Sequence, residues 1–544
     1  MKLISFIRRS LVTRRSLRIG GSIGGLLLLT HLLSSQNQPP TIQNLTATVN
    51  WATNTLSIQF DALDAEGDAL DISLGISNNG GKTYLLSSTV PASGHIGFPV
   101  APGTDRIITC DVSLLAPTPG TFTVRVVADD RQPFDLQALV NEVDSNRLRD
   151  NLRFVEGIRH RTAGKAHLTA VADSLRQLFA ASGLFAEEQT FAYAGGYTGR
   201  NVLGTLPGTS AAAKVVVADA HYDSVSNAPG ADDNGSGTVG VMELARLLSR
   251  YPAKKSLRFI GFDLEEAGLI GSTRYVSTGI PTGESIEGVF NFEMIGYYSE
   301  QPNSQKLPTG FDLAFPAAYS QVANDGFKGN FITNVGNTTS KPLIALYANS
   351  AAQYVPGLKV ISVEVPGNGQ IAPDLRRSDH TPFWEAGRQA LMLTDGANFR
   401  NLCYHMACDT AEDKLNFRFM SQVVKATLAA MAQLAEIQHG DWATTTFKNT
   451  VRNQEVFARP CTLSLSSNPR EREVLYLAVQ DCSLQQVGLE LYDERGALLY
   501  QQDINPLPSE GQTPIFLPTG LVPGMYFAKF SWAEGSWTER VVVR

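Results

Sequence analysis

Short apolar runs alternate with segments of helical apolar spacing across the middle of this 544-residue chain. The helical spacing is clearest at 168–181 and 239–248, and a long helix is predicted at about 411–437. The apolar runs predict buried strands, at 215–220, 257–262, 289–292, 360–365 and 390–393. Strands that alternate with helices form largely parallel sheets with helices packed on their faces. Residues 136–440 are therefore predicted to be a central three-layer α/β domain with a mixed, largely parallel sheet.

Both flanks of that domain have the pattern of small all-β units. Residues 39–132 contain alternating apolar runs at 55–60, 70–76 and 122–128, separated by turn clusters. Residues 456–544 return to strands and turns after the helical domain. Short strands at near-regular spacing predict an N-terminal β-sandwich of the immunoglobulin or fibronectin kind and a second, C-terminal β-sandwich. The first is expected to be a spacer or binding module, because it carries no catalytic cluster.

The first 38 residues are predicted to direct export. Residues 1–18 are basic, and residues 19–33 are mostly apolar but shorter than the ~20 residues of a membrane span. The segment Thr13-Arg14-Arg15-Ser16-Leu17-Arg18 also resembles a twin-arginine signal. Residues 1–38 are thus either an export signal or a signal anchor that stays in the membrane. The protein is expected to be periplasmic, cell-surface or extracellular.

The charge balance excludes one class of partner. The chain is 43% apolar and 18% charged, which is typical of a globular protein, and its formal net charge is −7. Its N-terminal arm is basic, and the first acidic residue is Asp61, so the rest of the chain is more acidic than the total suggests. Binding to nucleic acid is therefore not expected.

The five cysteines suggest local disulfides. Cys403/Cys408 and Cys461/Cys482 are natural pairs by spacing, which leaves Cys110 over. An exported protein can oxidise such pairs. Because the sequence contains no CxxC motif, a thiolate zinc site is not expected.

Polar residues follow several of the predicted strands, and sites in open α/β sheets form beyond the carboxyl ends of strands. His221 and Asp223 come directly after strand 215–220 and, being two residues apart, face the same side. His221 is a candidate metal ligand, and Asp223 is placed to support it by fixing the tautomer of the imidazole. A His beside an Asp is also common on ordinary surfaces, so this pair alone decides nothing.

Further carboxylates follow in the chain. Asp233 lies in a Gly-rich turn before a helix, where it either caps the helix or reaches a metal. Glu265 and Glu266 come after strand 257–262, either as a solvated acidic loop or as one metal ligand and one free base. Glu293 is predicted to lie in the middle of an apolar strand, where an isolated carboxylate is costly unless it is paired or metal-bound.

His405 completes the candidate set, in the segment that follows strand 390–393. Two imidazoles and several carboxylates suit zinc in a hydrolytic site. Five ligands are too many for one catalytic zinc that keeps an open position, but they suit two zinc ions that share a carboxylate. The charge of two ions would exceed that of Asp233, Glu266 and Glu293 together, which lowers the pKa of a bridging water.

Five segments together resemble the co-catalytic di-zinc aminopeptidases, whose clan includes glutaminyl cyclases and the transferrin-receptor ectodomain. The resemblance covers about 300 residues and rests on the order and spacing of its motifs. The motifs are HYDS at 221–224, PGADDNGSG at 229–237, DLEEAGLIGS at 263–272, NFEMIG at 291–296 and YHMACDT at 404–410.

The resemblance implies a metal role for each ligand candidate. His221 and Glu293 would bind one zinc, and Glu266 and His405 would bind the other. Asp233 would bridge both ions. Many members of the family carry Asp where this chain has Glu293; the longer side chain can still ligate.

The same resemblance implies a reaction. Glu265 would be the general base and acid, which takes a proton from the metal-bound water and gives it to the leaving amine. Asp223 would support His221. The implied activity is that of a secreted zinc-dependent aminopeptidase, which hydrolyses the N-terminal peptide bond of peptides with a free N-terminus.

Two alternatives use the same fold. A glutaminyl cyclase-like acyltransferase would keep one zinc and usually a Trp before the last His, where this chain has Tyr404. A non-catalytic adhesion or receptor ectodomain would have lost ligands, whereas all five and Glu265 are present. The aminopeptidase is therefore favoured.

Two further segments resemble known elements. Residues 378–384 resemble a stretch of the family near the substrate cleft, but His380 is expected to be a hydrogen-bonded structural residue and not a ligand. Residues 491–496, 520–527 and 541–544 resemble the sorting domain of type IX secretion cargo, which implies secretion machinery as a partner. A carbohydrate- or protein-binding sandwich is the alternative for this C-terminal region.

Overall fold

The computed structural model describes most of the chain from residue 37 onward. The described ranges are 37–86, 90–112, 120–411, 414–449, 462–466, 474–480, 486–494, 496–506, 511–518, 521–532 and 535–543. Within these ranges no helix has both the length and the apolar character needed to cross a membrane. The proposed export signal, apart from residues 37–38, and the pair Cys461/Cys482 lie outside the described residues.

The N-terminal region forms two facing antiparallel sheets around one apolar core. Alternation of buried and exposed residues along each strand gives the period of two that a half-buried sheet requires. Its strands are β1 (Thr41–Asn50), β2 (Thr55–Leu63), β3 (Leu70–Ser77), β4 (Leu85–Leu86), β5 (Ala92–Gly94), β6 (Gly97–Val100), β7 (Gly103–Asp111) and β8 (Gly120–Asp129).

The α/β region follows with alternating helices and strands. Its helices are α1 (Leu136–Asn141), α2 (Ser145–Val155), α3 (Lys165–Ala181), α4 (Gly237–Leu248), α5 (Ile270–Arg274), α6 (Phe311–Ala314), α7 (Pro316–Asn324), α8 (Lys341–Tyr354), α9 (His380–Glu385) and α10 (Phe417–Ala435). Its strands are β9 (Phe185–Tyr193), β10 (Tyr197–Leu206), β11 (Ala211–His221), β12 (Lys255–Phe262), β13 (Ser285–Phe292), β14 (Ile332–Asn337), β15 (Val360–Val365) and β16 (Ala390–Thr394).

These eight strands form one mixed sheet in the order β15-β14-β16-β13-β11-β12-β10-β9. The pairs within β16-β13-β11-β12 are parallel, as is β14-β15, and the other three pairs are antiparallel. Neighbouring residues of β11 alternate between two cores: Val216 belongs to the core that includes α3 and α4, and Val217 belongs to the core on the opposite face. The expected mixed sheet between two helical layers is confirmed.

Two boundaries differ from the sequence prediction. The long helix begins at Phe417, not at about 411, because the Asn416 side chain caps it by accepting the N–H of Phe419. Strand β17 (Gly440–Asn449) pairs along its whole length with β8 and adds Phe447 to the N-terminal core. The first sandwich therefore does not end at residue 132; it takes its last strand from beyond the α/β region.

The described parts of the C-terminal region form two antiparallel sheets around a fourth apolar core. One sheet has the order β18-β19-β22 and the other β21-β20-β23-β24. The strands are β18 (Thr462–Ser466), β19 (Val474–Gln480), β20 (Val487–Asp493), β21 (Leu498–Ile504), β22 (Gly511–Phe516), β23 (Gly524–Trp532) and β24 (Gly535–Val543).

Candidate active site and metal centre

The candidate ligands meet at the carboxyl edge of the parallel strands. His221 is the last residue of β11, and Glu265 and Glu266 follow β12. Between β12 and the two glutamates, Leu264 has φ +60°, and this left-handed turn ends the strand and redirects the chain. Parallel strands end at the same edge, so residues far apart in sequence are brought to one place.

Glu293 lies at the end of its strand and not in the middle, as the sequence had suggested. β13 ends at Phe292, and the Glu293 N–H then donates to Leu393 O on β16 at 2.9 Å. One of its carboxylate oxygens accepts the Ser378 hydroxyl at 2.8 Å. The strand therefore points this side chain into the cleft, where it is held by a neighbouring segment.

His221, Asp233 and Glu293 form a first group of ligand atoms. The Nε2 atom of His221 lies 3.4 Å from Asp233 Oδ1 and 3.3 Å from Glu293 Oε2. All three residues are buried. Each can offer one atom to a single ion.

Asp233, Glu266 and His405 form a second group. The Nε2 atom of His405 lies 3.0 Å from Asp233 Oδ2 and 3.1 Å from Glu266 Oε2. Asp233 thus presents one oxygen to each group, as a bridging carboxylate does. It is not the cap of α4, since Asn234 Oδ1 accepts the Gly237 N–H.

The donor set fits a metal better than it fits a hydrogen-bond network. His221 Nε2, Asp233 Oδ2, Glu266 Oε1 and His405 Nε2 are buried without a hydrogen-bond partner among the described residues. Ligand atoms around a tetrahedral zinc lie about 3.3 Å apart, which is the spacing seen in both groups. Buried polar atoms are normally satisfied, so these four atoms are suited to binding a cation.

The electrostatics of the cluster give the same answer. Burial, together with the neighbouring Asp233 carboxylate, raises the pKa of Glu266 to about 7. Burial acts against protonation of His405, but Asp233 and Glu266 beside it raise its pKa to about 10. Buried carboxylates this close together are stabilised by a bound cation.

Glu265 belongs to neither ligand group. Its carboxylate is 3.9 Å from His221 Nε2 and its side chain is largely buried. Asp223 holds the segment in place, because its two oxygens accept the N–H groups of Glu265 at 3.1 Å and Glu266 at 3.3 Å. Toward His221, the closer contact to Nδ1 is the backbone carbonyl of Asp223 at 3.2 Å. Asp223 thus braces both the ligand and the free glutamate.

The loop that carries His405 is closed by a disulfide between Cys403 and Cys408, with a Cα–Cα distance of 5.2 Å. His405 sits inside this ring with φ +58°, and its imidazole stacks on the Tyr404 ring at 3.9 Å. Cys110 is free and buried. The disulfide therefore constrains the loop around His405, which must keep a fixed position to act as a metal ligand.

His380 lies outside both ligand groups. It is fully buried, its Nε2 atom contacts Leu375 O at 3.0 Å, and burial lowers its pKa to about 3. The structural role expected for it is in keeping with these contacts.

An apolar cavity of about 700 Å³, its open mouth included, lies beside Glu293. Its walls include Phe311, Phe331, Ile361 and Met392. Arg377 and Tyr404 also line it, with an Arg377 Nη2 to Tyr404 hydroxyl distance of 3.0 Å. Such an apolar pocket with polar groups at one side is typical of a small-molecule or side-chain site.

Two residues that support the site were not found from the sequence. Arg159 is fully buried and donates to the carbonyls of Tyr222, Pro229 and Gly230 at 2.7–2.8 Å, which joins the end of β11 to the turn before Asp233. Asp409 accepts backbone N–H groups from the same turn. Asp409 lies only four residues after His405, and this closeness to a candidate ligand could have indicated its role. Arg159 lies far from every candidate ligand in sequence, so no such signal was present.

Comparison with known proteins places the chain in a family. Residues 201–431 match the model for Peptidase family M28. The chain is 31% identical over 275 residues to the uncharacterized protein YfbL of Escherichia coli, covering 49% of this chain and 80% of YfbL. It is 31% identical over 273 residues to leupeptin-inactivating enzyme 1 of Streptomyces exfoliatus, covering 46% of this chain but only 52% of that protein.

Among solved structures, a zinc aminopeptidase from Bacillus subtilis matches with 26% identity and a TM-score of 0.33, over 45% of this chain and 51% of that one. The expected enzyme class, a metallopeptidase, is confirmed by the match to Peptidase family M28. The chain belongs to peptidase family M28.

Proposed function

We propose that this protein is an exported aminopeptidase that uses two zinc ions to hydrolyse the N-terminal peptide bond of peptides. The observation that carries the proposal is the pair of ligand groups sharing Asp233, with Glu265 beside them and in neither. Curated relatives include an aminopeptidase of Bacillus subtilis and probable zinc metalloproteases of fungi.

Each ligand has a defined place in the proposal. His221 and Glu293 would hold one zinc, Glu266 and His405 the other, and Asp233 both. When bound, the zinc ions supply Lewis-acid chemistry, lowering the pKa of water and polarising the scissile carbonyl. The tight packing of His221 and Glu293 orients that pair, whereas the more open His405 faces the cleft.

Glu265 is the proposed proton carrier. Its carboxylate accepts a proton from the attacking water and returns it to the nitrogen of the leaving amine. Burial raises the pKa of Glu265 well above its ordinary value, which favours a group that both takes and gives a proton. Asp223 orients it by accepting its backbone N–H.

The apolar cavity suggests where the first side chain of the substrate binds. Its lining includes Glu293 together with Phe311 and Phe331. A peptide whose first peptide bond lies over the ligand groups would direct its N-terminal side chain into this cavity. We therefore propose a preference for large apolar N-terminal residues.

Export remains part of the proposal. Residues 1–38 would act as signal or anchor, and the C-terminal sandwich would act as a sorting domain or binding module. Peptide substrates outside the cytoplasm, with a free N-terminus, are then the natural partners. Fractionation of cells that express the full chain, with and without residues 1–38, tests this part.

A direct experiment tests the activity. The purified full chain is analysed for metal and assayed on a panel of amino-acid anilides and on N-acetylated versions of the same compounds. The proposal expects about two equivalents of zinc, hydrolysis of the free-amine substrates and none of the acetylated ones. Protein that binds metal but hydrolyses neither, or that cyclises N-terminal glutamine instead, would refute it.

A further inference from the structure

The carboxylate of Asp409 is hydrogen-bonded to the backbone that carries the bridging ligand. Its two oxygens accept the N–H groups of Asp232 at 3.0 Å and of Asp233 at 3.1 Å. Its own carbonyl accepts the N–H of Ala231 at 3.2 Å. Asp409 is 1% exposed, so water does not compete for these bonds.

The same segment is also tied to the start of the His405 loop. Asp232 accepts the side-chain amide of Asn401 at 2.9 Å and the N–H of Gly296 at 3.0 Å. The loop from Asn401 to Asp409 is therefore joined at both ends to residues 231–233. The disulfide closes the loop between these two attachment points.

Two ligands from distant parts of the chain are thus held by contacts of one loop, residues 401–409. Asp233 and Asp409 are separated by 176 residues in sequence, and His405 lies in the loop that Asp409 ends. The bonds to Asp409 hold the backbone of Asp233, and the Cys403–Cys408 disulfide constrains the backbone of His405. Their ligand atoms, Asp233 Oδ2 and His405 Nε2, lie 3.0 Å apart as a result.

A buried carboxylate has a cost that a merely structural position could avoid. Asp409 is nevertheless a carboxylate, and each of its two oxygens accepts one backbone N–H. Backbone N–H groups bind an ionised carboxylate more strongly than a neutral amide. An amide side chain at this position has one acceptor oxygen in place of two, so one of the two N–H groups would lose its partner.

We propose that Asp409 is a positioning residue for the second metal group, which sets the distance between Asp233 and His405. The inference rests on the proposed function, in which Asp233, Glu266 and His405 hold a metal. Replacing Asp409 should leave all the proposed metal ligands unchanged but increase the distance between Asp233 and His405. Metal affinity should then fall although no ligand has been changed.

The test compares full-length wild type with Asp409→Asn and with a matched control, Asp395→Asn. Asp395 is equally buried, and its two oxygens also accept one backbone N–H each, from Tyr297 at 2.7 Å and Ala397 at 3.0 Å. Neither of those donors carries a ligand; the Asp395 side chain also contacts that of Asp232, so it shares this neighbour with Asp409 but makes no bond to the Asp233 backbone. The metal-free proteins are titrated with Co²⁺, followed by its visible absorption, and their melting temperatures are measured without metal.

For Asp409→Asn, at least one Co²⁺ equivalent should bind about 10- to 100-fold more weakly, the range for outer partners of metal ligands. Its metal-free melting temperature should fall no further than that of Asp395→Asn, and excess zinc should restore kcat with little change in KM. If Asp409→Asn does not fold, Asp409→Glu decides, since it keeps the charge on a longer arm and should show an intermediate loss of affinity.

The failures can be told apart. An Asp409 variant that binds Co²⁺ as wild type does, or that loses no more affinity than Asp395→Asn, would overturn this inference alone. A variant with lower metal-free stability and unchanged affinity would make Asp409 purely structural and overturn it too. Wild-type protein that takes up no Co²⁺ would overturn the proposed function, and this inference with it.

Discussion

Replacing Glu265 by Gln separates proton transfer from metal binding. Glu265 is in neither ligand group, and its backbone N–H, not its side chain, makes the bond to Asp223. Glutamine has nearly the same shape but cannot take a proton. Glu265→Gln should therefore keep the fold and the ligands while it loses the base.

The expected magnitude follows from that separation. Loss of a general base typically costs about 10²- to 10⁴-fold in rate, or roughly 2.7–5.4 kcal/mol of transition-state stabilisation. Stability should not fall, because burial already disfavours the ionised carboxylate, as the raised pKa of Glu265 indicates. In the wild type, kcat/KM should fall as the pH drops below the pKa of this base, because the protonated carboxyl cannot accept a proton. This acidic limb of the pH profile should be absent in the variant.

The assay measures kcat and KM on a leucine anilide, zinc content, and melting temperature for three proteins. The third is Glu287→Gln, a control on β13 whose carboxylate lies 3.6 Å from Lys214 Nζ at the surface side of the sheet. The control should match wild type in all three measurements. A Glu265→Gln variant that retains more than a third of wild-type kcat, or that loses its zinc, would refute the assignment.

Other predictions follow from the same geometry. Asp233→Asn should weaken both metal equivalents, since one oxygen serves each group; equilibrium dialysis showing two unchanged equivalents would leave Asp233 without a bridging role. Cys403→Ser should lower zinc content and kcat by freeing the His405 loop, and the same loss should follow reduction of wild type by a phosphine; full activity after verified reduction would contradict this. On a panel of anilides, kcat/KM should be highest for Leu or Phe, and Phe331→Asp should reverse that order in competition assays. A protein comprising residues 136–445 should melt at least about 5 °C below one comprising 37–449, as measured by calorimetry.

Local signals were enough to predict much of the sheet and the ligands. A buried strand such as β11 needs a run of apolar residues, and a ligand at its end interrupts that run with a polar side chain. His221 and Glu266 stand out for this reason, and Asp233 stands out by its Gly-rich turn. Glu293 was found for the same reason, but its place in the strand was wrong, because apolar Met294 and Ile295 continue the pattern past the last paired residue.

Long-range contacts left no comparable signal. Arg159 lies in a polar segment and binds carbonyls of a turn that is some 70 residues away, so nothing near it in sequence indicates burial. Strand β17 was missed as part of the first sandwich for a similar reason. Its partner β8 lies more than 300 residues earlier, and a return to an earlier sheet is set by register and not by composition.

The position of that returning strand explains why truncation should affect stability and leave the reaction unchanged. The sandwich contacts the edge strand β9, where Lys82 pairs with Glu187 at 2.6 Å. It also contacts the amino edge of the parallel strands, where the buried Arg125 donates to Pro207 O and Gly208 O at 2.6 and 2.9 Å. Strand β11 runs from that edge to His221, a path of about 33 Å at 3.3 Å per residue. Removal of the sandwich therefore exposes this distant contact and leaves β17 without β8, while the ligand groups keep their neighbours. KM on a dipeptide should accordingly stay within about twofold at temperatures where the shortened protein is folded; a tenfold rise would mean that the sandwich reaches the cleft after all.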